Sequence, residues 1–184
     1  VNQLVLDRLD RALVARWREE GGRRATGYAL ELWDGPVPDD RIEAFAELAN
    51  VMNGEPRGSL IIEDTTVTPQ MIREGDAFLF SNGSRRLISV TRHTPSGRLA
   101  GFTELMWNPK RATLVWQAGT GVLNAHRNQG LGRWLKAANM EALLARNAAA
   151  RFVRTGNADS NAPMLAINRR MGFEPFIAEV TWQG

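Results

Sequence analysis

The chain has 184 residues, 43% of them apolar, and its 23 Lys and Arg residues against 20 Asp and Glu residues give a formal net charge of +3. This length suits one domain of ordinary size with some residues left for an extension, and the apolar fraction excludes wholesale disorder. The charge excess is small and no window is strongly basic, which argues against nucleic-acid binding. No apolar run approaches the ~20 residues of a membrane span and no signal peptide is visible, so we expect a cytoplasmic protein.

The chain contains no cysteine and two histidines, His93 and His126. The lack of cysteine excludes disulfides, thiolate metal sites and a cysteine nucleophile. Two histidines argue against a centre built from several histidine ligands. We therefore expect a protein of a reducing compartment that uses no metal.

The first twenty residues predict an amphipathic helix, because Leu6, Leu9, Leu13 and Trp17 recur at steps of three and four. Gly21-Gly22 is expected to end this helix. Residues 1–26 are the part of the chain least expected to belong to the main domain, and we treat them as a helical extension or interdomain segment before a domain at 27–184.

The next elements in chain order are a strand at 28–33, a helix at 40–52, a short strand at 60–62 and a short helix from Pro69 to about Glu74, capped by Thr68. Three strands at 86–94, 98–107 and 112–123 then form an antiparallel meander. A helix at 130–147, a strand at 151–155, a helix from Asn161 to Gly172 and a strand at 176–182 complete the chain. This order predicts an α+β fold, a layered mixed sheet, mainly antiparallel, with helices on both faces.

The segment from Val122 to Arg133 has the pattern of a strand, a glycine-containing loop and a helix start. The first amides of a helix lack internal partners and the dipole is positive there, so this loop is a candidate site for a phosphate or diphosphate. It is not a Walker loop, since no Gly-Lys-Ser/Thr follows, and it lacks the dinucleotide spacing. A glycine turn that only precedes a helix is the alternative.

Residues 122–132 resemble the acyl-CoA signature of the GNAT superfamily of acetyltransferases, Val-x-Pro-x-x-Arg/Gln-x-x-Gly-x-Gly/Ala. Val122, Arg127, Gly130 and Gly132 match, and Asn124 stands where proline is common. A second stretch, from Thr155 through Asn157 and Asn161 to Gly172-Phe173, resembles the strand and helix that follow in that family. The two stretches taken together resemble the C-terminal half of tandem-GNAT proteins, of which mycothiol synthase is a distant relative.

The resemblance implies a sheet whose fourth and fifth strands, at 112–123 and 151–155, splay apart to admit acetyl-CoA. It implies transfer of the acetyl group to a primary amine of a small molecule by direct attack. The positions that it assigns to the coenzyme are Val122, Leu123, Arg127, Asn128, Gln129, Gly130, Leu131, Gly132, Arg133, Asn157 and Asn161. For Asn161, a helix N-cap is an equally good interpretation.

The resemblance also assigns catalytic positions. The N–H of Val122 is the family's usual donor to the oxyanion, and Asn168 stands where many members carry a tyrosine that protonates the thiolate. An amide donates a hydrogen bond but supplies no proton. Gln117 stands where many members have a carboxylate, so it cannot act as the base.

Glu104 is the candidate general base, since it is the one acid between Asp76 and Glu141 and alternation places it with Phe102 and Met106. Burying a carboxylate beside apolar side chains costs free energy, so such a residue is expected to have a catalytic role or an ion-pair partner. The alternative is a structural ion pair with an arginine such as Arg92, or a solvated sheet face.

Three functional hypotheses follow. The first is an acetyl-CoA-dependent N-acetyltransferase that acts on a small amine. The second is a GNAT half that binds acyl-CoA without turnover and serves a partner domain or a regulatory role. The third uses the N-terminal helix to dock a second GNAT half or a second copy of the chain.

Overall fold

The computed structural model describes residues 1–54, 66–156 and 161–178, without the side chains of residues 53 and 54. The strands are β1 Asn2–Val5, β2 Tyr28–Asp34, β3 Arg85–His93, β4 Leu99–Trp107, β5 Leu114–Val122, β6 Phe152–Thr155 and β7 Glu174–Pro175. The helices are α1 Arg11–Arg24, α2 Ile42–Ala49, α3 Pro69–Ser81, α4 Leu131–Arg146 and α5 Ala162–Met171. Short 3-10 turns lie at Leu6–Arg8, Asp39–Arg41, Asn50–Gly54, Pro109–Arg111 and Asn124–His126.

One sheet of seven strands, in the order β2-β3-β4-β5-β6-β1-β7, forms the centre of the domain. All neighbouring strands are antiparallel except β5 and β6, which run parallel. Helices α1 and α4 pack together on one face, and α2 contacts β4 on the other. The prediction of a layered mixed sheet, mainly antiparallel with helices on both faces, is confirmed.

The structure of the N-terminal segment differs from the predicted helix. Residues 2–5 form β1, which lies between β6 and β7 in the sheet, and the helix begins only at Arg11. Asp10 caps this helix by accepting a hydrogen bond from the Leu13 amide at 2.9 Å. Leu6 and Leu9 are buried, but they lie in the turn before the helix rather than on its face as predicted. Whether residues 1–26 also connect this domain to another one stays a prediction.

The Gly21-Gly22 pair does not end the first helix, which continues through it to Arg24. The reason is the close approach of α1 and α4. A Cβ atom on Gly21 would lie 2.3 Å from Cγ of Trp134, so the indole of α4 occupies the space that any other side chain would need. A glycine here permits helix packing and is not a stop signal.

Two further boundaries differ from their predictions. Helix α3 extends to Ser81 rather than to Glu74, and it carries the buried Asp76 in its third turn. The last strand is Glu174–Pro175, paired with Gln3 and Asn2, instead of 176–182. Of the predicted strand at 176–182, residues 179–182 lie outside the described residues, as does the predicted strand at 60–62.

The core has a large cluster under α1 and α4 and a second cluster under α2. The first includes Leu4, Trp17, Leu105 and Leu143, and the second includes Phe45 and Phe102. Within the described residues, no helix combines the length and the apolar character that a bilayer crossing requires.

Candidate active site

Strands β5 and β6 pair only near the start of β5 and then diverge. The register joins Leu114 to Phe152, Val115 to Val153 and Trp116 to Arg154, whereas β5 continues to Val122. A cleft of about 680 Å³ opens beside the free part of β5. Its described walls come from β5, the loop to α4, α4 itself and α5, with Trp17 of α1 at one side. The predicted splay between these two strands is present.

The loop between β5 and α4 has a backbone suited to an anion. Asn128 and Gly130 both have a positive φ, 63° and 77°, and Gly130 is the N-cap of α4. Alternation of left-handed and right-handed residues turns successive N–H groups toward one side, and the first turn of the helix adds its own amides. Leu131, Gly132 and Arg133 form that first turn, and all three line the cleft.

The main chain of Val122 faces the gap between the strands. The amide of Leu123 donates to Ala100 of β4 at 2.9 Å, so strand alternation directs the amide and carbonyl of Val122 to the opposite edge of β5. The side chain of Arg127 confirms this direction, because its Nε donates to the Val122 carbonyl at 3.2 Å. Val122 therefore has the orientation predicted for an oxyanion donor, whereas the Leu123 amide is occupied by β4.

The structure brings most of the predicted coenzyme-binding residues to this cleft. Described residues of that set that line it are Val122, Arg127, Asn128, Gly130, Leu131, Gly132, Arg133 and Asn161. Gln129 lies exposed in the same loop, and Leu131 is buried at the start of α4. Asn157 lies outside the described residues.

The two asparagines of α5 have different positions. Asn161 is the N-cap of α5 and accepts a hydrogen bond from the Met164 amide at 3.3 Å, which is the N-cap alternative, and it also lines the cleft. Asn168 is 1% exposed and is not among the described residues that line the cleft. Ile167 and Met164 present the cleft-facing side of this helix instead. The position of the family's tyrosine is therefore turned toward the interior in this chain.

Glu104 lies at an irregularity between β4 and β5. Thr103 pairs with Thr120 and Leu105 pairs with Gln117, so Ala118 and Gly119 together oppose Glu104 in a β-bulge. The carboxylate is close to that bulge, since a Cβ on Gly119 would lie 3.7 Å from Glu104 Oε2. The carboxylate thus lies beside Gly119, the residue before the stretch of β5 that lines the cleft, and Glu104 is not itself among the described lining residues.

Two charged groups, Arg86 and Asp76, set the electrostatic environment of Glu104. Its Oε1 lies 3.7 Å from Nη1 of Arg86, whose Nη2 lies 2.5 Å from Asp76 Oδ1. Arg92, the partner considered from the sequence, pairs with Glu31 instead. Burial raises the pKa of Glu104, the charge of Arg86 lowers it, and the charge of Asp76 raises it. The net direction is upward, as is common for carboxylates that accept protons in catalysis.

A buried polar network at the bulge was not predicted from the sequence. Gln117 Nε2 donates to Thr103 Oγ1 at 2.9 Å and to the Glu104 carbonyl at 2.7 Å. Thr103 Oγ1 and Thr120 Oγ1 are 2.7 Å apart. Gln117 thus satisfies a carbonyl at the bulge, and the network ends at Thr120 in the cleft wall.

A second cluster that was not predicted from the sequence joins three rings beside the loop between β5 and α4. His126 Nδ1 is 2.8 Å from the hydroxyl of Tyr28, and the centroids of the His93 and His126 rings are 5.0 Å apart. His93 is half-buried in this cluster. Burial lowers the pKa of His126, and the charges of His93 and Arg98 act in the same direction. These contacts hold the loop before α4 against β2 and β3.

Lys136 is a buried cation one turn after Gly132 in α4. It is 2% exposed, and its Nζ lies 5.9 Å from the centroid of the Phe173 ring. Burial lowers its pKa to about 7. Among the described residues, no group of three or more His, Cys, Asp or Glu side chains is arranged to hold a metal ion.

Solved structures of GNAT proteins share this architecture. A tandem GNAT protein from the clavulanic acid biosynthesis pathway is 29% identical to this chain, matches 95% of it and superposes with a TM-score of 0.75. The chain has the GNAT fold. It spans about half of that relative, since the match covers 49% of the tandem protein. The resemblance to GNAT acetyltransferases, including tandem ones, is therefore confirmed.

Other GNAT structures share the fold at lower identity. A putative acetyltransferase from Salmonella typhimurium, solved with its cofactor acetyl-CoA, is 18% identical over 81% of this chain and 80% of its own, with a TM-score of 0.59. The enzyme AAC(6')-Iy, in complex with the bisubstrate analog CoA-S-monomethyl-acetylneamine, is 13% identical over 85% of this chain and 98% of its own, with a TM-score of 0.57. No protein-family model and no curated protein sequence matches the chain.

Proposed function

We propose that this GNAT domain binds acetyl-CoA and transfers its acetyl group to a primary amine of a small molecule. The observation that carries the proposal is the cleft between the diverging strands β5 and β6, which has a helix N-terminus with a left-handed glycine, Gly130, at its rim. Both features suit a long ligand with a diphosphate in its middle. The relatives that bind acetyl-CoA or a CoA conjugate support the same choice.

The residues of this chain have separate tasks in the proposed reaction. The amides at 128–133 hold the diphosphate, with Arg127 and Arg133 adding positive charge at the rim. The edge of β5 at Val122 faces away from β4 and pairs with the pantetheine arm once Arg127 releases the Val122 carbonyl. The N–H of Val122 stabilises charge on the carbonyl oxygen of the thioester. Acetyl-CoA supplies an activated acyl group on a thioester. Positioning is the largest contribution of the protein.

Glu104 accepts the proton that the acceptor ammonium must lose before it attacks. Its raised pKa makes it a stronger base than an exposed glutamate. The sign of the pH dependence follows, because a base works only when it is deprotonated. Activity should fall as the pH decreases through the raised pKa of Glu104.

A domain that binds acyl-CoA without turnover is the second candidate. One observation favours it, namely that the described cleft walls contain neither a carboxylate nor a tyrosine and that Asn168 points inward. In that case this half would serve a partner domain, as expected for part of a tandem protein, or a second copy of the chain. The partner surface at the N-terminal helix stays a prediction.

The deciding experiment combines calorimetry with a turnover assay. We expect the chain to bind CoA and acetyl-CoA and to release free thiol in the presence of at least one member of a panel of small amines. Glu104→Gln should keep the affinity for CoA and lose turnover, whereas Glu31→Gln, which removes the partner of Arg92, should keep both. Tight binding with no turnover on any amine would favour the non-catalytic alternative, and no binding would refute both.

A further inference from the structure

The donors and acceptors in the hydrogen bonds of Gln117, Thr103 and Thr120 at the bulge follow from their partners. The carbonyl oxygen of Glu104 is only an acceptor, so the atom of Gln117 at 2.7 Å from it must be the NH₂ group. One hydrogen of that group goes to this carbonyl, and the other goes to Thr103 Oγ1 at 2.9 Å. Gln117 is therefore the donor in its hydrogen bond to Thr103.

The hydroxyl of Thr103, which accepts from Gln117, is the donor to Thr120. Thr103 is fully buried, and the acceptor that the structure provides for its hydroxyl hydrogen is Thr120 Oγ1 at 2.7 Å. The reverse arrangement would leave the Thr103 hydrogen without a partner in the interior, which is costly. Thr120 therefore accepts from Thr103 and retains its own hydrogen. Thr120 is one of the described residues that line the cleft, and we infer that its hydrogen lies on the cleft side of the network.

We propose that the Thr120 hydroxyl donates a hydrogen bond to the sulfur of the bound thioester and of the CoA thiolate that leaves it. This inference rests on the proposed function. Thr120 lies two residues before Val122 on the strand that borders the cleft, and the side chain that many GNAT enzymes use for the sulfur is replaced here by the inward-facing Asn168. Two donors upstream, from Gln117 and Thr103, polarise the hydroxyl and strengthen its donor character.

The step balances without a further reactant. The amine nitrogen forms its bond to the acyl carbon, the carbon–sulfur bond breaks, and its electron pair goes to sulfur. Glu104 has already taken the first proton, which the ammonium loses before attack. The second proton, which the nitrogen carries after attack, goes to the sulfur after the carbon–sulfur bond breaks, so the products are the amide and the CoA thiol. Thr120 keeps its proton throughout and stabilises the thiolate by a charge-assisted hydrogen bond, so it is a donor aimed at charge that develops in the reaction.

Titration of the CoA thiol in the binary complex tests this role without turnover. Thiolate absorbance in the ultraviolet is followed against pH for CoA bound to the unmodified chain, Thr120→Val and Thr120→Ser, with affinities from calorimetry. We expect Thr120→Val to raise the pKa of the bound thiol by about one unit, because one hydrogen bond to a charged group is lost. Thr120→Ser should keep the original value. Thr91→Val, which removes a buried threonine hydroxyl from β3, is the matched control and should also keep it.

A second variant, outside the cleft wall, controls for the possibility that Thr120→Val disturbs the structure of the cleft. Thr103→Val removes the donor to Thr120 without altering the cleft wall and should raise the thiol pKa by a smaller amount than Thr120→Val. An unchanged thiol titration in Thr120→Val or in Thr103→Val, with CoA still bound, would overturn this inference and leave the proposed function standing. Failure of the unmodified chain to bind CoA would overturn both.

Discussion

Asp76 Oδ1 lies 2.5 Å from Nη2 of Arg86 inside the domain. The negative charge of Asp76 partly compensates the effect of Arg86 on the pKa of Glu104. The other carboxylate oxygen of Asp76 accepts the Val37 amide at 3.0 Å, so the carboxylate is held from two sides. Glu104 is left with the longer contact to Arg86, at 3.7 Å. The electrostatic environment of Glu104 therefore depends on Asp76, an aspartate on α3.

Asp76→Asn should lower the pKa of Glu104. The asparagine oxygen can still accept from Val37, but the charge that compensates Arg86 is lost, so Arg86 stabilises the Glu104 carboxylate more strongly. We expect the acidic limb of the pH–rate profile to move to lower pH by about one unit. Carboxyl-carbon NMR titration of Glu104 checks the cause directly. Asp39→Asn, at an exposed partner of Arg73, is the control and should leave the limb in place.

Gly130→Ala should weaken CoA binding by about tenfold or more, because φ of 77° is strained for alanine and the loop must shift from its anion-binding shape. Gly97, in the hairpin between β3 and β4, has a similar φ of 72°. Gly97→Ala carries the same backbone strain away from the cleft and should lower stability without changing affinity. Calorimetry with CoA, together with urea unfolding, separates the two effects. Equal affinities for the two variants would contradict the assignment of the loop.

Gly21→Ala should lower the free energy of unfolding by about 1–3 kcal/mol, because its Cβ would enter the space of the Trp134 ring. Gly22→Ala is the matched control on the same helix. Its Cβ would lie 3.8 Å from Trp134 Cζ2, an ordinary contact, so the gain in helix propensity of about 0.5–1 kcal/mol should remain. Urea unfolding of both variants measures the difference. Equal changes would show that α1 and α4 do not approach as closely as described.

Lys136→Met should remove a pH dependence of stability. The folded chain has a pKa of about 7 at this residue, below the usual lysine value of 10.5, so between these values the unfolded chain binds a proton that the folded chain does not. The free energy of unfolding is therefore highest above pH 10.5, where Lys136 is neutral in both states. It decreases as the pH falls to about 7, with a slope of up to about 1.4 kcal/mol per pH unit. Unfolding by urea at several pH values between 7 and 10 checks this. Lys110→Met, at an exposed lysine, should keep the slope.

The sequence by itself determined the elements whose signals are local. The meander from β3 to β5, the helices α4 and α5, and the loop at Gly130 all follow from alternation, helical spacing and turn residues within about ten positions. The loop at Gly130 could be proposed as a coenzyme-binding loop from the sequence because its amides and glycines would act through the backbone, and the backbone conformation is predicted from consecutive residues.

Only the tertiary structure decided the features that depend on distant pairs. Residues 2–5 became a strand because β6 and β7 offer edges on both sides, and the Gly21 pair stayed helical because Trp134 lies against it. The same holds at the candidate active site, where Gln117, Thr103 and Thr120 meet only across a bulge and Glu104 lies beside Arg86 rather than Arg92. Local patterns specify which conformation each segment prefers, whereas the environment of a side chain depends on which segments fold against it.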